Sequence, residues 1–241
     1  MGQQLDKLTI RGFKSISQLE DFELGNLNVL IGANGAGKSN FVEIFRVVRA
    51  MAEENFANYI QTRATADDYM FGGPKTTEKI EAEFVFGDNS YALELEPTAN
   101  GEEFVIINEW QRYKENNWRC IGSGGRESAL AANKNERAVT NPNISGVGYY
   151  IYEAVSNWVV YHFHDTSAKS PMRRFEITAD NSRLRPDAAN IAPFLLGLRE
   201  NNGRCYKEII EAVRIVIPFF DDFILKPVYK GEKEVVNLSW K

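Results

Sequence analysis

Residues Gly32 to Ser39 read Gly-Ala-Asn-Gly-Ala-Gly-Lys-Ser and satisfy the pattern G-x-x-x-x-G-K-[ST] at every fixed position. This stretch constrains the fold more tightly than any other, because the pattern works only as a tight turn between a buried strand and the start of a helix. The flanks meet that demand. Leu27, Val29, Leu30 and Ile31 form a short apolar run suited to a buried strand, and Phe41, Ile44, Phe45, Val48 and Met51 recur at helical spacing. Gly32, Gly35 and Gly37 let the backbone turn so that successive N–H groups converge on phosphate oxygens, with the positive end of the helix dipole behind them. Lys38 then reaches the β- and γ-phosphates of a nucleoside triphosphate, and the Ser39 hydroxyl ligates the Mg²⁺ that neutralises them. The candidate nucleotide-binding set is Gly32, Ala33, Asn34, Gly35, Ala36, Gly37, Lys38, Ser39 and Asn40. A glycine-rich turn with an exposed lysine is the plain alternative, and the strand and helix signals on either side argue against it.

A chain of 241 residues, 44% hydrophobic and 12% aromatic, can bury a substantial core. Its two cysteines, Cys120 and Cys205, make no disulfide framework, and no secretory or membrane-spanning stretch is present, so a cytoplasmic protein without membrane contact is expected. The formal net charge of −5 gives no global footprint for nucleic acid. Any DNA contact would need a local basic patch or a partner.

Glycine clusters and changes of periodicity divide the chain into residues 1–70, a phosphate-loop core with an N-terminal hairpin; 71–120, an antiparallel β-meander; 121–170, a loop, helix and strand leading back to the core; and 171–241, a helical lobe with terminal strands. Leu8, Ile10, Phe13 and Ile16, then Leu19, Phe22 and Leu24, predict two strands, and helix is predicted from Met51 to Asp68. The meander rests on Ile80 to Phe86, Tyr91 to Leu95 and Phe104 to Tyr113, separated by turns at Gly87-Asp88-Asn89 and Asn100-Gly101. Farther on, the patterns predict a short helix at Glu127 to Ala132, helix at Tyr150 to Trp158 and strand at Trp158 to Phe163. Two helices follow, one starting near Asp187 and one from Tyr206 to Ile217, stopped by Pro218, and then strands at Phe223 to Tyr229 and Glu234 to Trp240.

The opening Leu8 to Ile16, Leu-Thr-Ile-Arg-Gly-Phe-Lys-Ser-Ile, a hairpin, and then the phosphate loop resemble the amino-terminal part of the RecF, SMC and OLD ATPases, the DNA-associated branch of the ABC ATPase class. Residues 5 to 50 carry this match. Trp158 to Ser167, Asp180-Asn181, Leu184, Asp187, Asn190-Ile191 and Phe194-Leu195 resemble a bacterial group of RecF-like ATPases within the wider AAA grouping. The resemblance implies an α/β P-loop NTPase head of the ABC/RecF type, with an antiparallel β layer and a helical lobe, using ATP and Mg²⁺. It also implies a homodimer of heads closing on ATP, with DNA, a nuclease or another effector as possible partners.

That class also places a signature loop, a Walker B Asp-Glu pair and a switch histidine after the helical region, and none is recognisable here. Ser123-Gly124-Gly125-Arg126-Glu127 imitates the signature loop without the strand that should follow. Ile215 to Asp222 imitates Walker B, but Pro218 would cost a central strand a ladder hydrogen bond. Val159 to Asp165 is the better imitation, and Asp165 is a candidate Mg²⁺ contact at its end. His162, His164 and Asp165 offer metal-ligating atoms close together, and His164 or Asp165 could approach the γ-phosphate side of the nucleotide, against the plainer reading of a satisfied structural pair. Arg173, Arg174, Arg183 and Arg185, and separately Lys14, face DNA or simply solvent. Asn133 to Glu136 only approximates a guanine-specificity motif.

Two functions follow as expectations. One is the ATP-binding part of a RecF/SMC-like ATPase, an incomplete head whose dimerisation and hydrolysis serve DNA repair, DNA maintenance or anti-phage defence. The other is a non-hydrolysing, nucleotide-responsive module regulating a partner nuclease or effector.

Overall fold

The computed structural model describes residues 3–163, 167 and 169–241, and the chain divides between Trp158 and Val159 into two compact units. The divisions read from sequence near 70 and 120 fall inside the first unit, and the one near 170 inside the second.

In the first unit, β1 (Lys7–Phe13) and β2 (Ile16–Glu23) form the N-terminal hairpin, followed by α1 (Lys38–Ala52) and α2 (Phe56–Gln61). The meander is β3 (Ile80–Phe86), β4 (Asn89–Pro97) and β5 (Phe104–Tyr113), extended by β6 (Arg119–Gly122). After it come a small ribbon, β7 (Arg137–Ala138) with β8 (Asn141–Ser145), and α3 (Val147–Ser156). The meander and the hairpin are a single antiparallel sheet in the order β2-β1-β3-β4-β5-β6, because β1 pairs with β3, Leu8 opposite Phe84 and Ile10 opposite Ala82. Period-two alternation decides its faces. Ile80, Ala82, Phe84, Phe86, Tyr91, Leu93 and Leu95 are buried in one core with residues of α1, α2 and α3, while Glu81, Glu83 and Glu94 line the other face.

The apolar run at 27–31 is corrected by the structure. It forms no strand, and Leu27 and Ile31 are 84% and 90% exposed. A strand needs neighbouring N–H and C=O groups to pair with, and among the described residues none runs beside this segment. The helix expected over Met51 to Asp68 is also broken. After α1, Glu54 takes a positive φ of 54°, α2 covers only six residues, and a 3₁₀ turn at Ala66–Tyr69 follows. The helix expected at Glu127 to Ala132 is reduced to a 3₁₀ turn at Ala131–Asn133.

No strand begins at Trp158 either. Its indole instead packs on Phe45, Phe84 and Phe86, with ring centroids 5.1–5.9 Å apart, and its carbonyl accepts from Arg49 at 2.7 Å. Aromatic contacts continue along α1 from Phe45 to Phe41 and on to Phe22 of β2, tying the helix to the β2 edge of the sheet.

The second unit holds β9 (Glu176–Ile177), α4 (Ile191–Asn201), α5 (Gly203–Val216), β10 (Phe223–Ile224), β11 (Val228–Lys230), β12 (Lys233–Val236) and β13 (Ser239–Trp240). Leu195, Leu196, Tyr206, Ile210, Phe220, Leu225 and Val236 form its core. The helix expected from Asp187 begins at Ile191. Buried Asn190 organises the loop before it, donating to the carbonyls of Asp180 and Arg183 at 3.0 and 2.9 Å and accepting from the Arg185 amide at 2.8 Å. Each of the two expected terminal strands is split. Phe223 and Ile224 pair with Trp240 and Ser239, and β11 pairs with β12; between β10 and β11, Pro227 supplies no N–H to a continuous ladder.

Candidate functional site

Leu27 to Ile31 lead, exposed, into the loop of Gly32 to Gly37. Gly35 and Gly37 hold φ at 84° and 89°, a region closed to most side chains, and these two residues aim the chain into α1. Gly37 is the N-cap of α1, and no side chain caps the helix. The first N–H groups of α1 are therefore open at the end where the helix dipole is positive. Lys38 folds its ammonium back over the loop, donating to the carbonyls of Gly32 and Ala33 at 2.7 and 2.8 Å. The Ser39 side chain is exposed and makes no hydrogen bond among the described residues. Open amides, an ammonium at the loop mouth and a free hydroxyl one residue on are the donor set that a magnesium-bound triphosphate needs, so the residues present fit that ligand.

α1 holds this end firmly because Ile44, Val47, Val48 and Met51 sit at 1% exposure or less on one stripe. A polar cluster lies on the same helix. Glu43, 8% exposed, accepts from the Tyr59 hydroxyl at 2.7 Å, the Tyr69 hydroxyl at 3.5 Å and Arg46 at 3.1 Å. The Lys14 ammonium lies 4.0 Å above the Tyr69 ring. Burial lowers the Lys14 pKa against the pull of Glu43 and Asp68. Burial, then the Glu43 charge, pushes Tyr69 up to about 12. Tyr59 moves up as well, by burial and its hydrogen bond to Glu43. Sequence reasoning missed this cluster, since its members lie up to 55 positions apart (69 − 14) and share no spacing.

Asp165 and His164 lie outside the described residues. The His162 amide donates to the Pro186 carbonyl at 2.8 Å. Among the described residues, no group of three or more His, Cys, Asp or Glu is placed to hold a metal ion. The signature-loop imitation has a different use: both oxygens of Glu127 accept, at 2.9 Å, from the amides of Phe56 and Ala57 and so close the start of α2. Ile215 and Val216 end α5, and neither belongs to a strand. Of the basic residues, Arg185 pairs with Asp180 at 2.6 Å and with Glu176 at 3.8 Å. Arg174 donates to the Lys169 carbonyl at 3.2 Å. Lys14, expected to face DNA or solvent, is half-buried with its ammonium over the Tyr69 ring.

A family model described as an AAA ATPase domain matches residues 4–183, well over half of the chain. The chain belongs to this family. AAA ATPase domains bind nucleotide and generally use ATP and Mg²⁺, and the match covers the whole phosphate loop and the entire six-stranded sheet. No curated protein matches this AAA ATPase chain. None of its described helices is long and apolar enough to cross a membrane.

Proposed function

We propose that this chain is the ATP-binding part of a RecF/SMC-like ATPase head. The observation that carries the reading is the uncapped start of α1 behind two positive-φ glycines, with Lys38 and Ser39 as its first two residues. Gly32 to Asn40 would hold the triphosphate, with Lys38 pairing with the β- and γ-phosphates and Ser39 ligating Mg²⁺. ATP would supply the phosphoryl group for transfer to water. This chain's own residues bind, orient and neutralise it.

Glu43, the buried acid on α1, is committed to Tyr59, Tyr69 and Arg46. The exposed apolar run before the loop supports an incomplete site, because Leu27, Val29 and Ile31 gain nothing from water. Binding with little turnover is therefore the expected behaviour of the 241-residue chain. A closing partner, either a second head or further chain, would supply the rest. The sequence resemblance over residues 5 to 50 supports a role in DNA repair, DNA maintenance or anti-phage defence.

Calorimetric titration with Mg-ATP checks the reading. Lys38→Ala is expected to weaken binding by at least tenfold while the nucleotide-free chain keeps its melting temperature. Steady multiple turnover by the isolated chain, lost in Lys38→Ala, would contradict the incomplete site, and equal Mg-ATP affinity in both proteins would sink the binding site itself.

A further inference from the structure

The phosphate loop has a firm attachment on one side only. Downstream it runs into α1, whose stripe is buried, whereas upstream the chain from Leu27 to Ile31 is exposed and unpaired. A second attachment comes from the turn joining β1 to β2. The Ser15 Oγ accepts from Asn40 Nδ2 at 2.9 Å. A β-carbon added to Gly37 would lie 2.6 Å from the same oxygen, so the Ser15 hydroxyl is packed against the backbone of the last loop glycine. The turn itself is held in place. The Lys14 amide donates to the Tyr69 carbonyl at 2.7 Å, the Phe71 amide donates to the Gly12 carbonyl at 2.9 Å, and β1 is bonded to strands on both sides.

We infer that Ser15 is a positioning residue for the phosphate loop: its hydroxyl oxygen fixes the Asn40 side chain and the Gly37 backbone, and through them the direction in which the first amides of α1 face a triphosphate. The Ser15 oxygen is held by the turn between β1 and β2, and Asn40 and Gly37 are the two loop-end residues that meet it. Without that contact the loop end is held by α1 alone. The inference rests on the nucleotide-binding reading above and deepens it.

The test uses the whole 241-residue chain and its Ser15→Ala, Ser15→Thr, Asn40→Ala and Ser15→Ala/Asn40→Ala variants, titrated with Mg-ATP. Loss of one hydrogen bond predicts Mg-ATP affinity about fivefold to tenfold weaker in each alanine variant. The double variant is expected to bind no worse than the weaker single one, since both changes remove one tie. Ser15→Thr, which keeps the oxygen, is expected to restore affinity, and the melting temperature without nucleotide should stay unchanged. Wild-type affinity in Ser15→Ala, or losses that add in the double variant, would overturn the inference. Amide hydrogen exchange at Phe41, whose N–H donates to the Gly37 carbonyl at 2.9 Å, separates the two ideas. A wild-type chain that binds no nucleotide defeats the binding reading. The tie still stands if Ser15→Ala speeds Phe41 exchange, and falls if exchange is the same.

Discussion

Tyr69 is 1% exposed, with its hydroxyl toward Glu43 and its ring beneath the Lys14 ammonium. An unfolded tyrosine ionises near 10.0, whereas burial and the Glu43 charge hold this one to about 12. Between those values the unfolded chain gives up the proton and the folded chain keeps it. The contribution is thus complete below pH 10 and is lost as pH rises toward 12. Lys14 has the opposite sign. Its lowered pKa makes the folded chain release a proton first, so its share of stability increases up to the ordinary lysine value of 10.5. Urea unfolding from pH 8 upward is expected to show stability falling through the tyrosine window, with a shallower fall in Tyr69→Phe. Equal slopes would dispose of the assignment. At this scale the turn at Gly35 and Gly37 and the helix start at Lys38 were legible in the sequence because a glycine turn is a local pattern. Ser15 and Glu43 were not, because their partners come from distant parts of the chain.

α1 and the run before it make the same point for whole elements. Both read as buried, one from an apolar run and the other from helical spacing, yet Ile44 is 0% exposed and Val29 is 71% exposed. Ile44→Ala should destabilise the chain by about 2–5 kcal/mol, the cost of a cavity in a packed core. Val29→Ala should fall within about 0.5 kcal/mol, as a surface change does. Denaturant midpoints would measure the contrast, and comparable losses at the two sites would mean that 27–31 is buried in solution. The meander was legible because strand periodicity and its glycine turns are local. The extent of α2 was not, since Glu54 at a positive φ interrupts a sequence that otherwise permits a helix. Trp158 was misread as strand because its burial against Phe45, Phe84 and Phe86 comes from packing, which no nearest-neighbour pattern encodes.

Each unit of the molecule has its own core, and the phosphate loop, α1 and Ser15 all lie in the first. A fragment of residues 1–158 is therefore expected to unfold cooperatively and to keep Mg-ATP affinity within about twofold of the full chain. Calorimetry on the fragment decides this, and a folded fragment without affinity would assign part of the site to the second unit. By itself the sequence determined the glycine turn that ends at Gly37, the helix after it and the strands of the meander, because turn geometry and side-chain periodicity act over a few residues. Only the tertiary structure decided that β1 pairs with β3, that Leu27 to Ile31 find no neighbouring strand, and that Ser15 meets Gly37 and Asn40. Those outcomes depend on which distant segments share a core or a ladder, and burial and backbone pairing settle that only when the whole chain has folded.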